Sequence, residues 1–167
     1  MAAPAKHGSN KDKGKEKKNE VKVLLRNRKA RHEYHVEEEV EAGIELKGSE
    51  VKSLRDAKAS LSDAYANVVG NQIFLVQMQI NEYPQATYFN HAPKRERRLL
   101  LHKKEIEKYG VAVQQEGYTL IPLEVYLRDG RVKVKLGLCR GKQQHDKRQA
   151  SRERDAKREI DRALHRR

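Results

Sequence analysis

Two histidines and a glutamate lie close together in the stretch RHEYH, where His32, Glu33 and His35 are all metal-ligand types. Zinc proteases place two histidines four residues apart on one helix, whereas these two are three apart. In a strand, residues at that spacing point to opposite faces. A metal site, and with it a metal-dependent nuclease, is therefore the less favoured interpretation. An exposed imidazole that contacts phosphate or stacks on a nucleic-acid base is the favoured one.

The sequence lacks the usual catalytic motifs. It has no glycine-rich phosphate loop, no G-x-S-x-G elbow and no local set of Cys, His and acid. The acidic run Glu37 to Glu41 is explained by a charged strand edge. The lone cysteine, Cys139, ends an alternating segment and is expected to be a small buried or half-buried residue. We therefore predict a protein that is not an enzyme and has no cofactor and no metal.

Positive charge is the strongest chemical signal. The chain holds 37 lysines and arginines against 24 acids, a net charge of +13, which favours a polyanionic partner, either nucleic acid or an anionic membrane surface. No apolar run could span a bilayer and no signal-peptide-type stretch begins the chain, so we expect a cytoplasmic protein without a membrane partner. Several cations are expected to follow a phosphate backbone, with His32 or Tyr34 stacking on bases: Arg26, Arg28, Lys29, Arg31, Lys52, Arg55, Lys133 and Lys135.

Composition divides the chain into three parts. Residues 1–20 are rich in lysine, glycine, serine and asparagine, as in a disordered basic arm. Residues 21–140 hold nearly all the apolar segments and predict one folded domain. Residues 141–167 form a basic tail of good helix formers with a narrow apolar stripe of Ala156, Ile160, Ala163 and Leu164. Since that stripe is too narrow to stabilise an isolated helix, we expect the tail to become helical only along RNA.

The elements of the folded part follow from hydrophobic periodicity. Val21 to Arg26 predicts a first strand, and a basic connection follows it. A half-buried strand is predicted from about Glu33 to Leu46, because its apolar or aromatic positions are all even-numbered: Tyr34, Val36, Val40, Ile44 and Leu46. The stretch GSEVKSLRDAKASL predicts a short helix with Ser49 as its N-cap. The stretch KRERRLLLHKKEIEKYG predicts a second helix that ends at Gly110.

Two hairpins complete the pattern. One turns at Gly70-Asn71, and the other joins Tyr118–Leu127 to Arg131–Leu138 across Asp129-Gly130, a favoured two-residue turn. About six strands with hairpin links and few helices predict a mainly-β fold. We expect a small antiparallel barrel of the oligonucleotide/oligosaccharide-binding (OB) type with two or three helices. A two-layer α+β sandwich is the alternative.

Three long blocks of the sequence resemble one known family. They are NRKARHEYHVEEEVEAGIELKGSEVKSLR, EGYTLIPLEVYLRDGRVKVKLGL and GKQQHDKR, and the resemblance covers nearly all of residues 21–165. The chain resembles the SmpB family, the SsrA-binding proteins of bacterial trans-translation. The resemblance implies an OB-type barrel that binds the tRNA-like domain of transfer-messenger RNA and enters stalled ribosomes, where the nascent peptide receives a degradation tag.

The resemblance also implies roles for individual residues of the barrel. Asn27 and His32 fall in the RNA-binding block, and Glu41 and Lys133 fall on the surface that contacts the tRNA-like elbow. Leu100 falls at the start of the family's LLL helix, with core packing as the alternative interpretation. Glu41 would accept hydrogen bonds from guanine amino groups or ribose hydroxyls.

For the tail, the resemblance implies binding in the decoding centre of the small subunit and in the empty messenger channel. Gly141 would let the chain leave the barrel at a sharp angle. Lys142, Lys147 and Arg148 would bind ribosomal phosphates, His145 would stack on a decoding-centre base, and Asp146 lies in the same block. Gln143 replaces a lysine common in the family, which removes one cation.

The free protein is expected to be a monomer. Two functions from different classes stay open at this point. One is a non-enzymatic adaptor for ribosome rescue, and the other is a general single-stranded nucleic-acid or ribosome-associated binding protein. Preference for structured tRNA-like RNA over unstructured oligonucleotides would separate them.

Overall fold

A computed structural model of the chain describes residues 21–86, 90–115 and 117–143, together with the tail positions 155, 156, 158, 160 and 162. Those five tail positions are helical. The described elements before the tail are, in order, β1 (Val21–Arg26), α1 (Arg28–Glu33), β2 (Tyr34–Ile44), α2 (Gly48–Arg55), β3 (Ala59–Ser60), β4 (Tyr65–Val69), β5 (Gln72–Val76), β6 (Gln79–Ile80), β7 (Arg97–Leu100), α3 (Lys103–Gln114), β8 (Tyr118–Arg128) and β9 (Arg131–Gly141). Among the helices that the structure describes, none is long and apolar enough to cross a bilayer.

Six strands form a closed antiparallel ring in the order β8-β4-β5-β7-β2-β9, because β9 also pairs back onto β8. Strand β1 pairs with the second half of β8, from Glu124 to Arg128. Strands β3 and β6 form a separate two-stranded sheet. The predicted fold class is confirmed: a mainly-β chain built on a small closed arrangement of antiparallel strands, with three helices between residues 21 and 143.

Both predicted hairpins are present. Strands β4 and β5 join at Gly70, whose φ is +57°, a conformation in which glycine has no steric penalty. Strands β8 and β9 join at Asp129 and Gly130, with φ of +50° and +75°. Positive φ at both central residues is what the favoured hairpin turn requires. The second hairpin is long, and it places Lys133 and Lys135 on the strand next to β2.

Strand β2 has the predicted inward and outward faces. Its even-numbered residues are buried or partly buried, and Ala42 and Ile44 belong to the main core. Its outward glutamates, Glu37, Glu39 and Glu41, are exposed and alternate with the inward positions. The alternation of apolar and charged residues along β2 therefore predicted correctly which face of the strand carries the glutamates.

The helix predicted over residues 94–110 is wrong in its first half. Arg97 to Leu100 form β7, in which Arg97 and Leu99 are buried while Arg98 and Leu100 are exposed. The ring requires a strand between β5 and β2, and Leu99 pairs with both Ile73 and Ile44. Tertiary pairing thus overrides the helix preference of these residues. Helix α3 begins only at Lys103 and continues past Gly110 to Gln114.

Two further expectations are corrected near the helices. The basic connection after β1 is a six-residue helix, α1, whose N-cap is Asn27. Helix α2 is present as predicted, but its N-cap is Lys47 and Ser49 lies inside it. Glu50 accepts a hydrogen bond from the Lys47 backbone N–H at 2.7 Å. A glutamate at this position of the first turn satisfies a free N–H group, which explains how a helix without a Ser or Asp cap begins here.

A fully buried ion pair joins α2 to β7. Glu50 and Arg97 have no exposed surface, and Arg97 donates to Glu50 from Nε at 2.9 Å. Arg95 donates to both Glu50 oxygens, at 2.8 and 2.6 Å. Burial alone would raise the pKa of Glu50, but the hydrogen bonds from Arg95 and the Lys47 amide and the charge of Arg97 lower it below its ordinary value. Glu50 is therefore ionised at neutral pH.

The interior contains two apolar clusters. The larger fills the ring and includes Leu75, Leu99 and Leu136. The smaller lies between α1 and the β8–β9 hairpin and consists of Ala30, Ile121, Leu123 and Cys139. Cys139 has no exposed surface, as predicted, and its burial raises the pKa of its thiol to about 11. A buried, protonated thiol is consistent with a packing role.

Candidate nucleic-acid interface

Asn27 fixes the start of α1 and is itself buried, with 7% of its surface exposed. Its Oδ1 accepts from the Ala30 backbone N–H at 3.1 Å. Its Nδ2 donates to the carbonyls of Leu61 and Pro122, both at 3.1 Å. The side-chain amide therefore ties α1, the segment after β3 and β8 together. A role of Asn27 in RNA binding stays a prediction, and the structure offers an indirect route for it through the position of α1.

Helix α1 presents exposed cations beside β2. Arg28 is exposed, and Arg31 donates to Glu39 at 3.3 Å. His32 lies on α1 and is partly buried, whereas His35 lies on β2 and is exposed. Among the residues that the structure describes, no three His, Cys, Asp or Glu side chains lie together as a metal site would need. His32 lies on the same helix as Arg28 and Arg31, and its contact with RNA stays a prediction.

Glu41 accepts hydrogen bonds from two side chains on the outer side of β2 and forms an ion pair with a third. The Tyr126 hydroxyl and Arg128 Nη1 donate to it, the latter at 3.1 Å, and Lys133 Nζ lies at 3.6 Å. The hydrogen bond from Tyr126 is the largest influence on the pKa of Glu41; together with Arg128 and Lys133 it outweighs burial, so that the pKa lies below its ordinary value. Burial and, after it, the same contact with Glu41 raise the pKa of Tyr126. An ionised Glu41 thus holds two cations in place.

Glu39 and Glu124 hold the neighbouring cations. Glu39 lies 3.3 Å from Arg31 and 3.5 Å from Lys135. Glu124 lies 3.9 Å from Lys135 and 3.4 Å from Arg26. Together with the contacts of Glu41 these pairs form a surface that we call the charged face, composed of Arg26, Arg31, Glu39, Glu41, Glu124, Arg128, Lys133 and Lys135.

The charged face has five cations and three carboxylates. Its positive excess favours a polyanion, and its carboxylates limit the rotamers of long, flexible side chains. The predicted Glu41, Lys133, Lys135 and Arg31 are all brought together here. Tyr126 and Arg128 were missed by sequence reasoning, although their place opposite Lys133 and Arg131 in the hairpin register could have indicated them.

Leu100 lines an apolar groove beside this face. It pairs with Gly43, where a side-chain Cβ would lie 3.1 Å from the Leu100 Cβ. The groove, of about 410 Å³, also contacts Val51, Val132 and Lys133. Leu100 is 51% exposed, whereas Leu99 is 2% exposed. The core-packing interpretation of Leu100 is therefore wrong, and so is its placement in a helix; it is a surface leucine on β7 next to a candidate RNA-binding lysine.

Lys52 and Arg55 lie on the exposed side of α2. The Lys52 ammonium lies 5.4 Å from the centroid of the Tyr83 ring, within the range of a cation–π contact. Neither cation is within ion-pair distance of a carboxylate among the described residues. Lys52 and Arg55 can therefore contact phosphate without first breaking an ion pair. They are not members of the charged face.

At the start of the tail, Gly141 is the last residue of β9 and pairs with Tyr34. Its φ is outside the left-handed region and a Cβ would meet no atom within 4 Å, so nothing at this position requires a glycine. The expected sharp exit of the tail concerns the chain immediately beyond Gln143, which lies outside the described residues. The Lys142 amide continues the pairing by donating to the Glu33 carbonyl at 2.9 Å. The predicted tail residues His145, Asp146, Lys147 and Arg148 lie outside the described residues.

A small closed β fold with a cationic face, an adjoining exposed leucine and a basic tail defines a class of nucleic-acid-binding domain. The particular family is given by comparison: the chain belongs to the SmpB family, whose model, described as SmpB protein, matches residues 24–166.

Relatives and a solved structure agree with this membership. The SsrA-binding protein of Myxococcus xanthus is 52% identical over 147 residues, which cover 88% of this chain and 91% of that protein. The SsrA-binding protein of Clostridium tetani is 53% identical, covering 86% and 92%. A solved structure described as "tmRNA-SmpB: a journey to the center of the bacterial ribosome" is 43% identical and superposes with a TM-score of 0.63, covering 78% of this chain and 95% of that one.

Proposed function

We propose that this protein is an RNA-binding adaptor of ribosome rescue, which binds the tRNA-like domain of transfer-messenger RNA and delivers it to stalled ribosomes. The observation that supports this most directly is its identity of 52% with an SsrA-binding protein over 88% of its own length. A solved structure to which it is similar carries tmRNA-SmpB and the bacterial ribosome in its description. On this proposal the protein performs no covalent chemistry and acts in the cytoplasm as a monomer until it binds RNA.

The geometry of the charged face and α1 supports a division of labour between the folded ring and the tail. The charged face and α1 bind the RNA backbone of the tRNA-like domain, with Lys133, Lys135, Arg28 and Arg31 supplying phosphate contacts. Leu100, exposed beside Lys133, supplies apolar contact area to a base or ribose. Lys52 and Arg55 on α2 extend the cationic surface.

The tail acts on the ribosome in this proposal. Its described part is helical and exposed, with Arg158 lying 3.7 Å from Asp155. The segment after Gln143 contains His145, Asp146, Lys147 and Arg148, which we propose to contact the decoding centre and the messenger channel of the small subunit. Phosphates there would supply the partners that the narrow apolar stripe of the tail does not.

Recovery of RNA from the protein's own cells tests the function. Affinity-purified protein should be enriched in one transfer-messenger species over other RNAs of similar abundance. In vitro, the full chain should prefer structured tRNA-like RNA to an unstructured oligonucleotide of equal length at the same salt concentration. Equal affinity for the two would favour a general single-stranded nucleic-acid-binding protein and would contradict the proposal.

A tail variant tests the division of labour. Changing Lys147 and Arg148 to alanine should leave the affinity for the tRNA-like RNA nearly unchanged and abolish peptide tagging in a reconstituted translation assay. Because α3 is remote from the tail in sequence and carries exposed cations of the same type, Lys103→Ala with Lys104→Ala is the charge-matched control. A parallel loss of RNA binding and tagging in the tail variant would contradict separate roles.

A further inference from the structure

Lys142, the first residue after β9, makes two hydrogen bonds to the end of α1. Its backbone N–H donates to the Glu33 carbonyl at 2.9 Å, and its ammonium donates to the Arg31 carbonyl at 3.1 Å. Both acceptors belong to the last turn of α1. The carbonyls of a last helical turn have no partner within the helix and are at the negative end of its dipole. A lysine is therefore well matched to this position.

The two residues before Lys142 are also held by the ring. Gly141 pairs with Tyr34, and Arg140 pairs with His35 on one side and Tyr118 on the other. The Arg140 guanidinium carbon lies 6.0 Å from the centroid of the Tyr118 ring. The Tyr118 hydroxyl donates to Glu37 at 3.2 Å, which limits the movement of that ring. We call Arg140, Gly141 and Lys142 the tail root.

The tail root thus belongs to the folded ring although Gly141 and Lys142 belong to the basic tail by composition. We propose that Lys142 is a positioning residue: its two hydrogen bonds to α1 fix the direction in which the tail leaves the ring. This inference rests on the proposed function, since the direction matters only if the tail must reach a ribosomal site while the ring holds RNA.

The geometry distinguishes this role from the phosphate contact expected for Lys142. An ammonium bound to ribosomal phosphate would have to leave the Arg31 carbonyl or share its donors with it. The positioning role acts in the free protein, before any RNA is present. A phosphate contact acts only in the complex. Measurements on the free, full-length chain can therefore separate the two.

The first experiment is nuclear magnetic resonance on the free protein. Lys142→Met keeps the side-chain length and the backbone N–H but removes the ammonium donor, whereas Lys142→Arg retains a donor. We expect exchange of the residue-142 amide with solvent, corrected for its intrinsic rate, to become about three- to tenfold faster in Lys142→Met. We expect the fast motion of the Gln143 amide to increase as well. Lys142→Arg and the control Lys104→Met should resemble the unaltered protein.

The second experiment is peptide tagging in reconstituted translation with the same variants. Lys142→Met should slow tagging while its affinity for tRNA-like RNA is retained, and Lys142→Arg should restore the rate. Unaltered exchange and mobility in Lys142→Met would overturn the inference, even if tagging fell, because that pattern is the one a phosphate contact gives. Faster exchange with tagging at the normal rate would overturn it too.

Failure of the proposed function gives a different result from failure of this inference. If the unaltered protein neither bound transfer-messenger RNA nor supported tagging, the adaptor function would be wrong. The change in amide exchange at residue 142 would then still show that Lys142 anchors the tail root.

Discussion

Lys133 Nζ lies 3.6 Å from Oε1 of Glu41, and the other oxygen of the same carboxylate accepts from Tyr126 and Arg128. Both oxygens of the Glu41 carboxylate thus face groups of the protein itself. We therefore propose that Glu41 supports RNA binding by placing cations; a direct hydrogen bond to a guanine amino group or ribose would compete with these contacts. The placement of cations by Glu41 strengthens RNA binding, whereas the negative charge of Glu41 by itself weakens it.

Glu41→Gln tests the placement of cations. The change removes a negative charge near RNA, which by charge alone would tighten binding. If Glu41 orders Lys133 and Arg128, affinity for tRNA-like RNA should instead fall, by about three- to tenfold. Fluorescence anisotropy at fixed salt measures it. Glu107→Gln, which removes the same charge from the exposed pair with Lys103, is the control and should bind slightly more tightly. Tighter binding by Glu41→Gln would contradict the ordering role.

Glu50→Gln tests the buried ion pair between α2 and β7. The change leaves Arg97, which has no exposed surface, without its charged partner. We expect the free energy of unfolding to fall by about 3–5 kcal/mol, measured by urea denaturation. The matched control is Glu45→Gln, since Glu45 pairs with Arg98 at 3.0 Å on the surface. That variant should lose only about 0–1 kcal/mol. Similar losses in the two variants would contradict the importance of burial.

The same ion pair predicts a pH dependence of stability. The pKa of Glu50 is lowered in the folded protein from an ordinary value of 4.5. The unfolded chain therefore takes up a proton on Glu50 at higher pH than the folded one does. The stabilisation is complete above about pH 4.5 and is lost as the pH falls through the folded-state pKa. Urea denaturation should show that the free energy of unfolding falls more between pH 7 and pH 3–4 in the unaltered protein than in Glu50→Gln. Equal falls in the two proteins would contradict the contribution of Glu50 to the pH dependence.

The sequence predicted the elements whose local pattern agrees with their tertiary surroundings. The alternation along β2 and the Asp129-Gly130 turn are local signals, and both are present as predicted. Residues 97–100 were misread because RRLL is compatible with a helix, and only the pairing of Leu99 with Ile73 and Ile44 makes it a strand. No local pattern contains that information.

The candidate site shows the same limit. The cations of the charged face are evident from composition, and their spacing placed Lys133 and Lys135 on one side of a strand. Their partners Glu39 and Glu41 depend on the register between β2 and β9, which the sequence does not display. Tyr126 lies opposite Lys133 in the β8–β9 hairpin, so the predicted turn could have indicated it. Likewise, Asn27 resembles an RNA-contacting residue in the sequence, but its two donors reach carbonyls that are 34 and 95 residues away.

Leu99 and Leu100 on β7 allow a buried leucine to be compared with an exposed one in the same strand. Leu100→Ala changes a residue that is 51% exposed, so stability should change by about 0.5 kcal/mol or less, while RNA affinity falls. Leu99→Ala changes a residue that is 2% exposed and should destabilise the fold by about 2–5 kcal/mol. Urea denaturation and RNA-binding titrations on both variants measure the contrast. A large loss of stability in Leu100→Ala with normal RNA binding would contradict a surface role for Leu100.

Asn27 provides the last test. Its side chain is buried and bonded to backbone groups, yet it lies in the block of sequence expected to bind RNA. Asn27→Ala removes the cap of α1 and leaves the carbonyls of Leu61 and Pro122 without their donor, which should cost about 1–3 kcal/mol of stability. Asn27→Asp keeps the oxygen that caps α1 but loses both hydrogen bonds to the Leu61 and Pro122 carbonyls. It therefore separates the effect of the cap from the effect of those two hydrogen bonds. If Asn27 acts only by placing α1, RNA affinity should fall in proportion to the loss of order in α1, which the amide exchange of Ala30 measures. Conditions that stabilise the fold should then restore the RNA affinity. A loss of RNA affinity in a variant whose α1 stays ordered would mean that the amide contacts RNA directly.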